Sequence, residues 1–288
     1  MTQTQQLRKL LNLPGIISAP GAYDCLTAKI IEQAGFPAIY MTGAGTSVAR
    51  FGYPDLAITT ETEMVSSARA IVASTDIPVI ADADTGYGGI LNIQRTIRDY
   101  EQAGVAGIHI EDQEFPKRCG HLNGKQVIEA HEMVPRIKAA LDARTDPDFV
   151  VIVRTDALAV TGWEDTIERC YQYIDAGADG LFIEAIRSRE EAEAIVSLFQ
   201  VPIMYNFVET GKSPLINKDD LESMGFKIVI YPVSALLSVT NVVANVMSEL
   251  KKYGTTSHMI ENMVSVTEAF DLVGLSDMLN TSEIYKSD

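Results

Sequence analysis

The amino-acid sequence predicts an α/β fold, a closed (β/α)8 TIM barrel with extra helices at its C-terminal end. Two observations carry that prediction. Eight β-rich runs recur along the 288 residues, and each is followed by a stretch that patterns as helix. Several of those stretches end in the same punctuation: Gln33-Ala34-Gly35-Phe36, Gln102-Ala103-Gly104-Val105 and Asp175-Ala176-Gly177-Ala178. A glycine just past the end is a helix C-terminus signal, and its recurrence is a weak internal repeat of βα units.

In chain order the strands are expected at Gly15–Ala19, Ala38–Thr42, Pro78–Ala83, Gly107–Glu111, Phe149–Arg154, Gly180–Glu184, Val201–Tyr205 and Phe226–Tyr231. They are nearly continuous Val, Ile, Leu, Ala and Phe, as parallel strands buried on both faces are. A doubly wound open sheet also alternates strands with helices. It is disfavoured because no Gly-x-Gly-x-x-Gly turn follows the first strand. Two further helical segments, Ala235–Tyr253 and Met259–Leu279, exceed what a closed barrel needs. Residues 1–255 are therefore read as the catalytic barrel. Residues 256–288 are read as a helical extension that packs on the barrel or on a neighbouring subunit.

Composition excludes several classes of function. Apolar residues make up 47% of the chain and charged residues 22%, the balance of a globular protein. No apolar run reaches the ~18 residues of a membrane span. The start, Met-Thr-Gln-Thr-Gln-Gln-Leu-Arg-Lys, lacks the basic-then-apolar order of a secretory signal, so a cytoplasmic protein is expected. Cys25, Cys119 and Cys170 are widely spaced and odd in number, which suits a reducing compartment and no structural zinc site. The net charge of -16 argues against nucleic acid as a partner. An anionic substrate would need local Arg, Lys and a metal to reverse that field inside its site.

In a barrel of this kind the chemistry sits on loops at the C-terminal strand ends, and the unusual polar residues fall there. Strand two runs into Tyr40-Met41-Thr42-Gly43-Ala44-Gly45, and strand three into Asp82-Ala83-Asp84-Thr85-Gly86-Tyr87-Gly88. Strand four ends in His109-Ile110-Glu111-Asp112, strand five in Arg154-Thr155-Asp156, strand six in Glu184, and Asn206 follows strand seven. The Asp-x-Asp spacing puts Asp82 and Asp84 on one side of an extended chain. Taken singly, either reads equally as a loop or helix cap. With Glu111 they form an all-oxygen cluster, which favours Mg²⁺ or Mn²⁺ over zinc. Without a cation, three such acids in a dry barrel mouth would repel one another. His109 either orients this cluster or is a hydrogen-bonded core histidine. His131, His258 and Trp163 are expected to carry no chemistry.

Between strands four and five, a long loop carries Phe115-Pro116-Lys117-Arg118-Cys119-Gly120-His121. A cysteine flanked by Lys, Arg and His sits in an electropositive setting that lowers a thiol pKa, the alternative being an incidental surface cysteine. Gly120 and the length of the loop suit a lid that closes over substrate.

Together with Val153-Arg154-Thr155-Asp156, the Asp82–Gly88, His109–Gln113 and Lys117–His121 stretches resemble the isocitrate lyase/phosphoenolpyruvate mutase superfamily, over nearly the whole chain. The Lys-Arg-Cys-Gly-His stretch is similar to the catalytic loop of its carbon–carbon lyase branch, and members acting on carbon–phosphorus bonds lack it. The resemblance implies a barrel whose last helix is exchanged between subunits of a homotetramer, and a small dicarboxylate substrate. It implies Asp82 as the direct Mg²⁺ ligand, with Asp55, Asp84 and Glu111 holding metal-bound waters. It implies a cradle for the 2-oxo-acid half of the substrate in Arg154 and the amides around Thr42, Gly43 and Ala44. Tyr40 takes the position of the base for the 2-hydroxyl, and Cys119 that of the proton donor to the leaving carbanion. Lys117, Arg118 and His121 are expected to hold the second carboxylate and keep Cys119 ready to exchange a proton. Gly120, Glu184 and Asn206 complete the expected substrate contacts.

Two departures bear on the substrate. Leu237 stands where the 2-methylisocitrate lyases carry Arg, and Asn206-Phe207-Val208-Glu209 stands where they read Asn-x-Thr-Glu. Both changes remove polar partners of a third carboxylate, which would then be buried unpaired at a cost of several kcal/mol. The expected reaction is retro-aldol cleavage of a 2-hydroxy dicarboxylate with an apolar substituent, 2,3-dimethylmalate giving pyruvate and propanoate. Cleavage of a tricarboxylate, hydrolysis or decarboxylation of oxaloacetate, and a catalytically idle scaffold are the alternatives.

Overall fold

Each apolar run finds a parallel partner on both sides, so no strand edge is left open. The computed structural model describes residues 1–286 and places β1 at Ile17–Ala22, β2 at Ile39–Met41, β3 at Val79–Asp82 and β4 at Gly107–Glu111. It continues with β5 at Val150–Thr155, β6 at Gly180–Ile183, β7 at Ile203–Asn206 and β8 at Ile228–Tyr231. Each strand bonds to the next, and β8 closes on β1 with Ile17 opposite Ile228 and Pro20 opposite Tyr231. The expected (β/α)8 barrel forms, and the open sheet is excluded.

The first strand runs further than its apolar pattern, through Pro20 and Gly21, because Gly21 and Ala22 pair with Tyr40 and Met41. A side chain at Gly21 would have its Cβ 2.5 Å from the Pro232 carbonyl, so only glycine fits there. The seventh strand is displaced toward its C-terminal end and takes in Asn206, which pairs with Ile230.

Side chains alternate between two layers along these strands. The inner layer, with Ile17, Tyr40, Ile80, Ile152, Phe182, Met204 and Ile230, fills the barrel. Its lower end is plugged by Leu7 of α1 (Gln3–Asn12). The outer layer meets a ring of helices: α2 (Cys25–Gln33), the short α3 (Gly43–Thr46), α4 (Glu61–Ala73), α5 (Ile90–Gln102), α6 (Ala130–Ala143), α7 (Trp163–Asp175), α8 (Arg189–Leu198) and α9 (Lys218–Met224). The repeated punctuation does what its chemistry implies: Gly35, Gly104 and Gly177 take φ of 83°, 85° and 104° just past α2, α5 and α7.

After β8, α10 (Ser234–Tyr253) buries none of its residues on its own barrel. The single helix expected over Met259–Leu279 is instead a 3₁₀ turn (Ser257–Asn262), α11 (Val266–Asp271) and α12 (Leu275–Ile284). Two local features break it: Ser265 caps α11 with Glu268 in a reciprocal capping box, and Gly274 takes a left-handed φ of 89°. Ser287 and Asp288, the last residues of the expected 256–288 extension, lie outside the described residues. Among the described residues no helix is long and apolar enough to cross a membrane.

Below the barrel mouth, Asp112 is fully buried and accepts from Thr155 Oγ1 (2.7 Å), the Asp156 amide (3.0 Å) and Tyr173 Oη (2.9 Å), with Arg169 at 3.5 Å. Removing it leaves three buried donors without their acceptor and takes one of two carboxylates from Arg169, which keeps Asp165 at 2.6 Å. Asp112→Ala should destabilise the fold by about 3–5 kcal/mol in urea unfolding. A loss below about 1 kcal/mol would show that water replaces the carboxylate.

Candidate active site

The strand register assembles the mouth. Asp82 lies opposite His109, Glu111 opposite Arg154, and Arg154 opposite Phe182, so neighbouring strands deliver acid, imidazole and guanidinium to one rim. The cavity above them has a volume of about 210 Å³ and opens to solvent. Of the sequence-predicted residues, Tyr40, Thr42, Ala44, Asp55, Asp82, Cys119, Gly120, His121, Arg154, Glu184, Asn206, Val208 and Leu237 line it. Asp84, Glu111 and Lys117 are buried beside it. Gly43 packs directly on Asp82, whose carboxylate a Cβ would overlap.

Arg154 is the buried cation of the site. Its Nε and Nη2 donate to Asp156 (2.9 and 3.2 Å), Nε lies 3.2 Å from Glu111 Oε2, and Nη2 lies 3.4 Å from Glu184 Oε2. Its guanidinium sits 5.0 Å from the centre of the Phe182 ring. Burial works against the charge, but the Asp156, Glu111 and Glu184 carboxylates outweigh it and hold the guanidinium protonated. Thr42 caps α3 by accepting from the Gly45 amide at 3.1 Å. The first amides of that turn, Gly43 and Ala44, have no intrahelical acceptor and remain available at the cavity wall.

Across the mouth lies the acid side. Burial pushes Asp84 up to about 6 and Glu111 well above the usual carboxylate range. Asp82 stays low, because His109, charged only at acid pH, together with Lys117 and Arg154 outweighs its burial. Lys117 supplies the cation that the acids need: its ammonium pairs with Asp55 and, at 2.6 Å, with Asp84. Glu111 Oε1 is buried without a partner, while Oε2 meets the Arg154 guanidinium. A free carboxylate oxygen beside three further acids suits a hard, oxygen-seeking cation such as Mg²⁺. Among the described residues no three His, Cys, Asp or Glu side chains converge as a closed ligand set. Mg²⁺ usually keeps several waters, which such spaced acids could hold.

Tyr40 Oη is 2.8 Å from His109 Nε2, which also lies 3.6 Å from Asp82 Oδ1. Burial depresses His109 to about 4, so the ring is neutral. Its Nδ1 is buried without a partner, where a bare lone pair costs less than an orphaned N–H. The proton therefore sits on Nε2 and can be donated to Tyr40 Oη. That leaves the phenol hydrogen free to face the cavity. Burial, with Asp82, holds the phenol well above its ordinary value.

Two expectations for the Cys119 loop need correction. Arg118 is exposed and donates to the Asn123 carbonyl (3.2 Å), away from the cavity. It neither holds a substrate carboxylate here nor acts on the thiol. Nor is the thiol pKa lowered: burial pushes it up to about 11, with help from Asp55. The flanking basic residues do not face it. Lys117 turns into the acid cluster, and His121 is kept neutral by burial. The His121 Nδ1 accepts from the Lys212 amide at 3.1 Å, leaving the Nε2 proton 3.5 Å from Glu184 Oε1. Lys117, expected at the second carboxylate, is committed to Asp55 and Asp84 instead. Residues not named as site residues from the sequence also line the cavity: Phe182, Glu209, Thr210, Gly211, Pro232 and Val233. The inward alternation of strand six could have found Phe182; the others come from loops without periodic pattern.

A family model described as phosphoenolpyruvate phosphomutase matches residues 7–251. The chain belongs to the isocitrate lyase/phosphoenolpyruvate mutase superfamily. This superfamily member is 42% identical over 285 residues to the 2,3-dimethylmalate lyase of Eubacterium barkeri, covering 99% of each chain. It is 39% identical over 272 residues to a 2-methylisocitrate lyase of Bacillus subtilis (strain 168), covering 94% of this chain and 89% of that one. An oxaloacetate acetylhydrolase in complex with the inhibitor 3,3-difluorooxalacetate superposes with a TM-score of 0.95 at 38% identity, over 100% of this chain and 98% of that one. A phosphonopyruvate hydrolase complex with oxalate and Mg++ superposes with a TM-score of 0.90 at 32% identity, over 100% of each. The protein is an enzyme of the carbon–carbon lyase type.

Because its thiol titrates near 11, Cys119 in metal-free protein should react with iodoacetamide at pH 8 about a hundredfold more slowly than a free cysteine. Its rate should keep rising above pH 10. A midpoint near pH 8 would restore the lowered thiol.

Proposed function

We propose that the protein is a Mg²⁺-dependent lyase that cleaves 2,3-dimethylmalate into pyruvate and propanoate. The observation that carries this reading is the composition of the cavity wall. Arg154 and the Thr42–Ala44 turn offer one anion cradle, while Val208, Pro232, Val233 and Leu237 are apolar. That wall suits methyl groups and offers a third carboxylate no cation. The named relatives include both a 2,3-dimethylmalate lyase and 2-methylisocitrate lyases, and the apolar wall favours the first of these two substrates.

Asp82 would hold the metal directly, with Asp55, Asp84 and Glu111 orienting its waters. Bound there, Mg²⁺ supplies positive charge beside the substrate's 2-hydroxyl and the oxo group it becomes. Mn²⁺ fits the same oxygen set. Arg154 and the amides of Gly43 and Ala44 bind the adjoining carboxylate. Tyr40 is the base for the hydroxyl proton: it must first lose its own proton, which burial beside Asp82 opposes and the positive charge of a bound Mg²⁺ would favour, and the Nε2–H of His109 stabilises the phenolate oxygen. The C2–C3 bond then breaks, its electron pair passes to C3 and delocalises into the second carboxylate, and Cys119 gives C3 its proton. A raised thiol pKa suits that role, because the donor must arrive protonated. His121 and Asn206 hydrogen-bond the second carboxylate as neutral donors. Turnover closes when the proton gained by Tyr40 is returned to Cys119.

We further propose that the chain works as a homotetramer whose C-terminal helices cross to a neighbour. Val242, Met247 and Leu250 on α10 are exposed, and so are Leu26 and Ile30 on α2, a large apolar surface to leave in water. Three unpaired thiols support a reducing, cytoplasmic setting.

Purified protein with Mg²⁺ should release pyruvate from 2,3-dimethylmalate faster than from 2-methylisocitrate, and little oxalate from oxaloacetate. EDTA should stop it, and Mg²⁺ should also raise the melting temperature. Cys119→Ser should lower kcat by about 10²–10⁴ while keeping that thermal shift. Preference for 2-methylisocitrate would sink the substrate assignment. For the assembly, sedimentation should give a tetramer and a chain ending at residue 233 a smaller species; a monomeric full-length chain would end that proposal.

A further inference from the structure

Lys125 is buried in the same loop as Cys119, six residues further on, and no role yet described uses it. Its ammonium donates to the Gly120 carbonyl at 2.5 Å and to Asp156 Oδ1 at 2.5 Å. Asp156 is itself fully buried, and it is the carboxylate that takes both nitrogens of Arg154. Its amide is pinned in turn to Asp112. One carboxylate therefore joins the anion-binding guanidinium, on a rigid strand, to the loop that carries the thiol.

We propose that Lys125 is a positioning residue, which locks the Cys119 loop over the cavity by tying the Gly120 carbonyl to Asp156. The loop has no slack at this point. A Cβ at Gly120 would lie 2.5 Å from Arg154 Nη2 and 2.6 Å from Glu184 Cγ, so the backbone rests directly on the site's cation. On the far side of Cys119 the loop is held by Lys117 in the acid cluster and by the Cys119 amide on the Asp55 carbonyl (3.1 Å). The thiol thus hangs between two buried ammonium anchors, one on each charged side of the mouth. To lift the loop, Lys125 must either release Gly120 or leave a buried carboxylate, and both lose a charge-assisted hydrogen bond. Arg154 and the loop share Asp156, so the contact that sets the guanidinium's register also sets the height of the lid.

This inference rests on the barrel mouth being the lyase site, but its test needs no turnover. The three cysteines serve as reporters: half-buried Cys119 in the loop, half-buried Cys25 on α2, and buried Cys170 in the core. Each is followed by mass spectrometry during iodoacetamide labelling at fixed pH. Lys125→Met should label Cys119 about tenfold faster than wild type, the loss expected for one charge-assisted hydrogen bond, with Cys25 unchanged and Cys170 still protected. Lys125→Gln keeps a donor for the Gly120 carbonyl; it should give an intermediate rate, and it carries the test alone if Lys125→Met does not fold. Unchanged Cys119 labelling in the folded variants overturns the proposal. Faster labelling of Cys170 together with Cys119 overturns it too, because that is loosening of the whole barrel. A wild-type protein that cleaves none of the acids above, yet shows the selective Cys119 response in its variants, would remove the functional reading and leave the lock standing.

Discussion

A buried guanidinium on a strand of an acidic barrel has to be neutralised where it stands. Arg154 cannot reach solvent and cannot lose its proton, so the structure around it is arranged to supply negative charge. Asp156 does most of this. Burial would push Asp156 up, yet Arg154 and Lys125 bring it down to about 2, so it remains a carboxylate. Glu111 and Glu184 stand on either side, and Phe182 closes the face below. The same demand extends inward through Asp112, which fixes the Asp156 amide and is itself surrounded by Thr155, Tyr173 and Arg169.

The opposite rim has the reverse problem. Asp82, Asp84 and Glu111 lie close together in a dry mouth, and their charge is reduced in two ways. Burial raises Asp84 and Glu111, and Lys117 brings an ammonium among them. The two rims share one loop, which sends Lys117 to the acid side and Lys125 to the arginine side. Cys119 sits half-buried between these anchors, and burial keeps its thiol protonated at neutral pH. A nucleophilic cysteine in that position would be badly placed, whereas a proton donor has what it needs: a neutral thiol, a small cavity and a fixed height above Arg154.

Much of this was legible in the sequence. Strand runs such as Gly107–Glu111 coincide with the observed strand, because a strand buried on both faces must be apolar whatever its neighbours. Gly35, Gly104 and Gly177 marked helix ends because a left-handed residue is a local requirement. The rim residues were also legible, since strand ends in a barrel meet at one mouth. Limits appeared where the partner is distant in sequence. β1 extends through Pro20 and Gly21 only because β2 and β8 hold it there. The helix expected over Met259–Leu279 is broken by caps, at Ser265 and Gly274, that its apolar pattern hides.

The loop shows the division most clearly. By itself the sequence determined that a thiol, a lysine, an arginine and a histidine share one loop near an acid cluster, because composition and spacing are properties of the chain. Adjacency along the chain suggested a thiol made acidic by its basic neighbours. Only the tertiary structure decided where each charge goes: Lys117 inward to Asp55 and Asp84, Arg118 outward to the Asn123 carbonyl, Lys125 down to Asp156. The physical reason is that successive side chains on an irregular loop point to different surroundings. Burial and the nearest carboxylates, which no spacing records, then set the sign of the shift at Cys119.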